Sequence, residues 1–131
     1  HSRGGQAAWL AAIQLQREGV QIEGLALIDP VDGGGPRSVE RRATRTAQRW
    51  DNPPLIVGAG IGGRCAPEHL NHTHFAAASS EASHVVVPDM GHMDVLNGRA
   101  RAIGRRLCGG GTDPDRARST VSEFLRHYWT R

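Results

Sequence analysis

Lysine is missing from this 131-residue chain, and all 16 basic residues are arginine. That skew reads as coding bias rather than as a surface selected for nucleic acid, because 13 acidic residues bring the formal net charge down to +3. The densest basic stretch, Arg37 to Arg49, is interleaved with Glu40 and small residues, so it reads as a solvated helix face and not as a phosphate-binding stripe. Nucleic acid is not an expected partner. Cysteine is scarce: Cys65 and Cys108 are too few for a disulfide framework and pair only if folding brings them together. No apolar run approaches the roughly 20 residues of a membrane span, so no transmembrane segment is expected. No secretory or transit signature is visible. Internal repeats and low-complexity tracts are absent too, which excludes solenoids and linkers and leaves one domain over residues 1–131. A complete α/β enzyme needs roughly twice this length, so the domain is expected to be partial.

What is present is an alternation of helical and strand patterns. Gly5 to Glu18 reads as a helix with Trp9, Leu10, Ile13 and Leu15 as its apolar residues, stopped by Gly19. "IEGLALIDP", Ile22 to Pro30, reads as a buried strand closed by Asp-Pro and the glycines 33–35. A polar stretch up to Trp50 reads as helical, "LIVGAG" as a second strand and "IGGRCAPEHLNHTHF" as a loop. "SHVVVPDMGHMD" reads as a third strand ending in a turn around Gly91 and His92. A weakly patterned segment then runs to Gly109–Gly111, before a helix from Pro114 to about Trp129 whose face carries Val121, Phe124, Leu125 and Tyr128. Strands alternating with helices predict an α/β fold with a parallel sheet, flanking helices and ligands at the carboxyl ends of the strands.

Three polar groups fall at such ends. "HSRGG" leaves x-S-x-G of a strand-to-helix nucleophile elbow, in which Ser2 is the nucleophile; the competing reading makes Ser2 a plain helix N-cap. Asp29 closes the first strand and is preferred as the acid over Asp32 and the later Glu68. His92 follows the third strand in a Gly-flanked turn, completing the chain order Ser, acid, His. Two other patterns mimic different chemistry. Cys65, His69, His72 and His74 have the composition of a zinc set, but they sit in one loop without a second cysteine pair, which favours hydrogen bonding or packing. Gly58, Gly60 and Gly63 satisfy G-x-G-x-x-G after a strand. Pro67 argues for a loop where a dinucleotide site needs a helix, so a non-enzymatic nucleotide-binding module is the weakest reading.

With these residues in place, the sequence resembles the chlorophyllases. "HSRGG" is similar to that family's GHSRGG without its first Gly, "LALIDPVDG" to its strand ending in I-D-P-V-x-G, and "VGAGIG" to its V-G-T-G-L-G. The most specific stretches are "CAPEHLNHTHF", which resembles C-A-P-x-x-x-N-H-x-x-F, and "DMGHMDVL", which resembles D-Y-G-H-x-D-M-L. Met90 stands where the family has Tyr, and Val95 where it has Met. The resemblance implies the C-terminal half of an α/β-hydrolase fold, with its N-terminal strands and a second oxyanion-hole donor lying before His1. It makes Ser2 the nucleophile, Asp29 the acid, His92 the base and the Arg3 backbone N–H one oxyanion donor. The implied reaction removes phytol from chlorophyll to give chlorophyllide in the chloroplast, with no metal or organic cofactor; a broader lipase or esterase of the same fold is the alternative. The implied partner is chlorophyll or a related phytyl-ester pigment, with peripheral membrane association through that substrate. An isolated fragment lacking the second donor is expected to be inactive.

Overall fold

The computed structural model describes residues 1–33 and 40–131. Three parallel strands, β1 (Ala26–Ile28), β2 (Leu55–Ile61) and β3 (Ser83–Gly91), pair in the order β1-β2-β3. The central strand β2 is buried from Leu55 to Ala59, and its alternating side chains feed two separate cores. Ile56 joins Leu27 on one face, under α1 (Arg3–Arg17) and α2 (His72–Ala77). Leu55, Val57 and Ala59 join Met90 on the other, under Ala117 and Val121 of α4 (Pro114–Trp129). Helices cover both faces of β2, which is why it is buried without interruption from Leu55 to Ala59, whereas the edge strand β3 alternates half-buried and exposed residues along its first half.

The helix α1 starts two residues earlier than its periodicity predicts. Its buried residues Gly5, Trp9, Ala12 and Ile13 lie on one stripe, and Trp9 meets Trp50 and Phe75 edge-on with ring centroids 4.8 and 5.4 Å apart. Gly5 lets the helix rest on the end of β1, since a Cβ there would lie 2.9 Å from Pro30 Cβ. At the other end of the sheet the Tyr128 hydroxyl accepts from Leu25 N–H (3.0 Å) and donates to Pro53 C=O (3.1 Å), tying α4 to the starts of β1 and β2.

Four expectations need correction. β1 is three residues long, not nine: Gly24 packs against the Trp129 ring, Leu25 N–H goes to Tyr128, and Asp29 turns the chain with φ 41°. Residues 40–50 form no helix, because Asp32 draws the amides of Arg42, Ala43 and Thr44 onto its carboxylate; the part of that predicted stretch before Glu40, and the closing glycines 34 and 35, lie outside the described residues. The loop after β2 contains two 3-10 turns, Gly63–Cys65 and Glu68–Leu70, and then α2, capped by Asn71 Oδ1 accepting from Thr73 N–H (3.0 Å) and Thr73 Oγ1 (2.7 Å). The weakly patterned segment is a helix, α3 (Gly98–Cys108), whose Gly104 receives Met93.

Candidate active site

The N-terminal turn, the turn after β1 and the turn after β3 meet at the carboxyl end of the sheet. Ser2 occupies the N-cap position of α1 with φ 55° and ψ −134°, a backbone conformation unfavourable for a residue with a Cβ. Neighbouring bonds hold it there: Ser2 N–H donates to Ile28 C=O (3.2 Å), and Ser2 C=O accepts from Gly5 N–H (2.9 Å) and Val31 N–H (3.2 Å). Its hydroxyl makes no capping bond. It lies 2.9 Å from His92 Nε2 instead, so the N-cap reading fails on geometry.

The other ring nitrogen, His92 Nδ1, lies 2.6 Å from Asp29 Oδ2, and both side chains are buried. Asp29 Oδ1 accepts from Ala59 N–H at 3.0 Å, which fixes the carboxylate on the end of β2. His1 Nε2 lies 2.8 Å from the His92 carbonyl oxygen, and the two rings are 4.8 Å apart. The sequence signal for this brace was nil, since a histidine beside a serine has no periodicity to betray its direction.

The two competing acids do different things. Asp32 is fully buried and accepts five hydrogen bonds, from Gln6 Nε2, the amides of Arg42, Ala43 and Thr44, and Thr44 Oγ1 at 2.7–2.9 Å. Burial works to raise its pKa, but the bonds from Ala43, Thr44 and Arg42 outweigh it and hold the carboxyl below its ordinary value. Glu68 is exposed in its 3-10 turn, and its carbonyl, not its carboxylate, receives His74 Nε2 at 3.0 Å.

Behind His92, Asp94 is fully buried and pins the turn: Oδ2 accepts from the Gly91 and Gly111 amides (2.7 and 2.8 Å), and Oδ1 pairs with Arg105 of α3. Arg105 Nη2 also donates to Gly111 C=O at 2.8 Å. Sequence reasoning missed both partners: Asp94 stands in "DMGHMD" but was not singled out there, and its cation lies 11 residues away in a segment without clear pattern.

The zinc-like set disperses. Cys65 is disulfide-bonded to Cys108, His72 Nδ1 lies 2.8 Å from His84 Nε2, and His74 lies against Arg41 and the Glu68 carbonyl. Among the described residues no three His, Cys, Asp or Glu side chains converge as a metal-binding group. The glycines of "VGAGIGG" also have packing reasons. A Cβ on Gly58 would enter the His72 ring at 2.4 Å, one on Gly60 would meet Pro88 C=O at 2.3 Å, and Gly63 adopts φ 59°. A 3-10 turn follows, not the helix a pyrophosphate needs.

A cleft of about 510 Å³ opens over this constellation, lined by Ser2, Arg3, His92, His69, Met93 and both half-cystines among others. Arg3 opens α1, where first-turn amides lack intrahelical partners, so its N–H is available at the Ser2 end of the cleft. A cavity of similar size, about 560 Å³, lies between the end of β3 and α4 and contains none of Ser2, Asp29 or His92. The arrangement supplies a hydroxyl, an imidazole bonded through both nitrogens and a buried carboxylate in series.

The family model that matches this chain over residues 1–128 is that of the chlorophyllases. The chain belongs to the chlorophyllase family. It is 34% identical over 110 residues to chlorophyllase type 0 of Chenopodium album, covering 74% of this chain and 31% of that one. Chlorophyllase-2 of Arabidopsis thaliana is 32% identical over 119 residues, covering 79% of this chain and 37% of its own length. Chlorophyllase-1, chloroplastic, of Citrus unshiu is 32% identical over 141 aligned positions, covering 95% and 41%. The chain thus spans between about a third and two fifths of the length of these chlorophyllases. No solved structure matches it. The parallel sheet with helices on both faces is a partial α/β fold of the chlorophyllase family.

Proposed function

We propose that this chain carries the catalytic machinery of a serine carboxylic-ester hydrolase that removes phytol from chlorophyll, giving chlorophyllide. The observation that carries the reading is the pair of bonds through one imidazole, 2.9 Å to Ser2 Oγ and 2.6 Å to Asp29 Oδ2. Ser2 Oγ attacks the ester carbonyl while His92 Nε2 takes its proton and returns it to the departing alcohol. Water then repeats the sequence on the acyl-enzyme. Asp29 fixes the Nδ1–H tautomer and stabilises the imidazolium, and the Arg3 N–H donates to the developing oxyanion. Met93 and Leu70 give the cleft apolar lining suited to a hydrophobic pigment. The chlorophyllase names of the relatives favour chlorophyll over a general ester, and the Citrus relatives' chloroplastic names favour the chloroplast.

The full-length protein treated with a serine-directed phosphonate should carry the label on Ser2 and lose phytol release in proportion. Labelling elsewhere with full loss of activity would sink the assignment. A broad esterase would instead cleave short-chain aryl esters faster than the phytyl ester.

Contact with a bilayer surface belongs to the same reading. No described helix is long and apolar enough to cross a membrane. On α3, Ile103 and Leu107 are 59% and 62% exposed and share an outward face with Arg99 and Arg106, while Cys108 at the helix end lines the cleft. Apolar side chains flanked by arginines suit an anionic lipid surface. Ile103→Glu with Leu107→Glu should abolish co-sedimentation with phosphatidylglycerol vesicles at unchanged Tm.

A further inference from the structure

Of the chain's seven histidines, five have ring partners in the described structure. His127 lies exposed on α4. His69 is the other without a partner among the described residues, and it alone combines that freedom with a place in the cleft beside Ser2. Its backbone is held firmly. The 3-10 turn Glu68–Leu70 is closed by Leu70 N–H to Pro67 C=O (2.9 Å), Leu70 is 3% exposed, and its carbonyl accepts from Asp32 N–H (2.8 Å). Four residues earlier Cys65 is bonded to Cys108. A rigid mount thus presents an exposed imidazole with no internal structural task.

The cleft offers few other donors for a metal. Among the described residues no carboxylate lines it, both nitrogens of His92 are engaged, and the two cysteine sulfurs are spent on each other. The arginines there are permanent cations without a lone pair. A neutral imidazole supplies one lone pair and is the commonest protein metal ligand. The pigment of the proposed reaction carries its own magnesium, bound by four ring nitrogens and able to accept one further neutral donor. We propose that His69 is the axial ligand to the magnesium of the bound chlorin, anchoring the macrocycle while its ester reaches Ser2. This rests on the hydrolase reading above and adds a recognition element to it.

The test compares, in full-length protein, a phytyl ester of the magnesium chlorin with the same ester whose magnesium is replaced by two protons. His69→Ala should raise KM about tenfold for the magnesium ester and move it less than twofold for the metal-free one. Equal changes for both esters would overturn the proposal, pointing to packing or a hydrogen bond at the macrocycle rim. A second readout removes turnover. Ser2→Ala protein binding the magnesium chlorin should give the visible-absorption change of axial nitrogen ligation, lose it in Ser2→Ala with His69→Ala, and regain it when free imidazole is added. Binding with no such change would also refute axial ligation. Were neither ester hydrolysed by the unmodified protein, the hydrolase reading would fail, and the absorption experiment would still decide the role of His69.

Discussion

The turn after β1 and the turn after β3 are built to the same plan and held by different means. Each carries one group of the Ser2–His92–Asp29 series and, two or three residues later, a buried aspartate that fixes the backbone: Asp29 with Asp32, His92 with Asp94. Asp32 is satisfied by neutral donors, five of them from α1 and residues 42–44. Asp94 takes two amides and needs the guanidinium of Arg105, carried by α3. The first turn is therefore secured without a countercharge, whereas the second depends on a helix that must dock correctly. Neighbouring acids of equal burial are distinguished by what approaches them, not by depth.

The sharpest way to break the comparison is to exchange an acid for its amide in each role. Asp29→Asn leaves the size and burial intact but presents the wrong tautomer partner to His92. It should lower kcat by roughly 10⁴-fold with little change in Tm. Asp32→Asn should do the reverse, keeping kcat while losing on the order of 3 kcal/mol of stability, because an amide nitrogen would face donors. Comparable kcat losses in both variants, measured beside thermal unfolding, would erase the distinction.

The next effect concerns the end of α3. The disulfide Cys65–Cys108 closes a loop spanning 43 residues, and removing it with Cys65→Ser and Cys108→Ser should cost about 4 kcal/mol by loop entropy. Denaturant unfolding of oxidised protein against the double variant measures it. A smaller loss, about 3 kcal/mol, is expected for Arg105→Ala, which leaves Asp94 buried without its cation. If the His92 turn hangs on α3, this variant should also lower kcat; Arg105→Ala with unaltered kcat would separate the turn from its brace.

The smallest effect is one of pH. Burial lowers the pKa of His72, against opposing contributions from the Asp29 charge and the Ala59 backbone. Burial and then the neighbouring His72 lower that of His84. Both titrate near 6.5 in the unfolded chain, so between that value and the lowered folded values the unfolded state binds more protons. Their contribution is complete above about pH 6.5 and is lost as pH falls through the folded values. His84→Gln should flatten the decline of Tm between neutral and mildly acidic pH; an unchanged slope would show the pair to be uncoupled from folding.

The residues legible in the sequence were those governed by local pattern. Trp9, Ile13, Val121 and Phe124 announce two amphipathic helices, "LIVGAG" a buried strand, and Ser2, Asp29 and His92 stand where strands end. What stayed hidden was set by distant partners. The helix expected before Trp50 loses to Asp32, which collects the amides a helix would have used internally. Helix α3 is rich in arginine and glycine and presents no apolar core stripe, because its inward contacts are Met93 on Gly104 and Arg105 on Asp94. The pairing of Cys65 with Cys108 depends on that same helix being present.

His92 is separated from Asp29 by 63 residues and from Ser2 by 90, and it follows the last strand of the described sheet. Contacts so remote in sequence carry a loop-closure cost that local structure cannot defray. Ser2 therefore has no imidazole partner until β3 has docked beside β2. On the proposed reading, the onset of hydrolytic activity would report the docking of β3 beside β2.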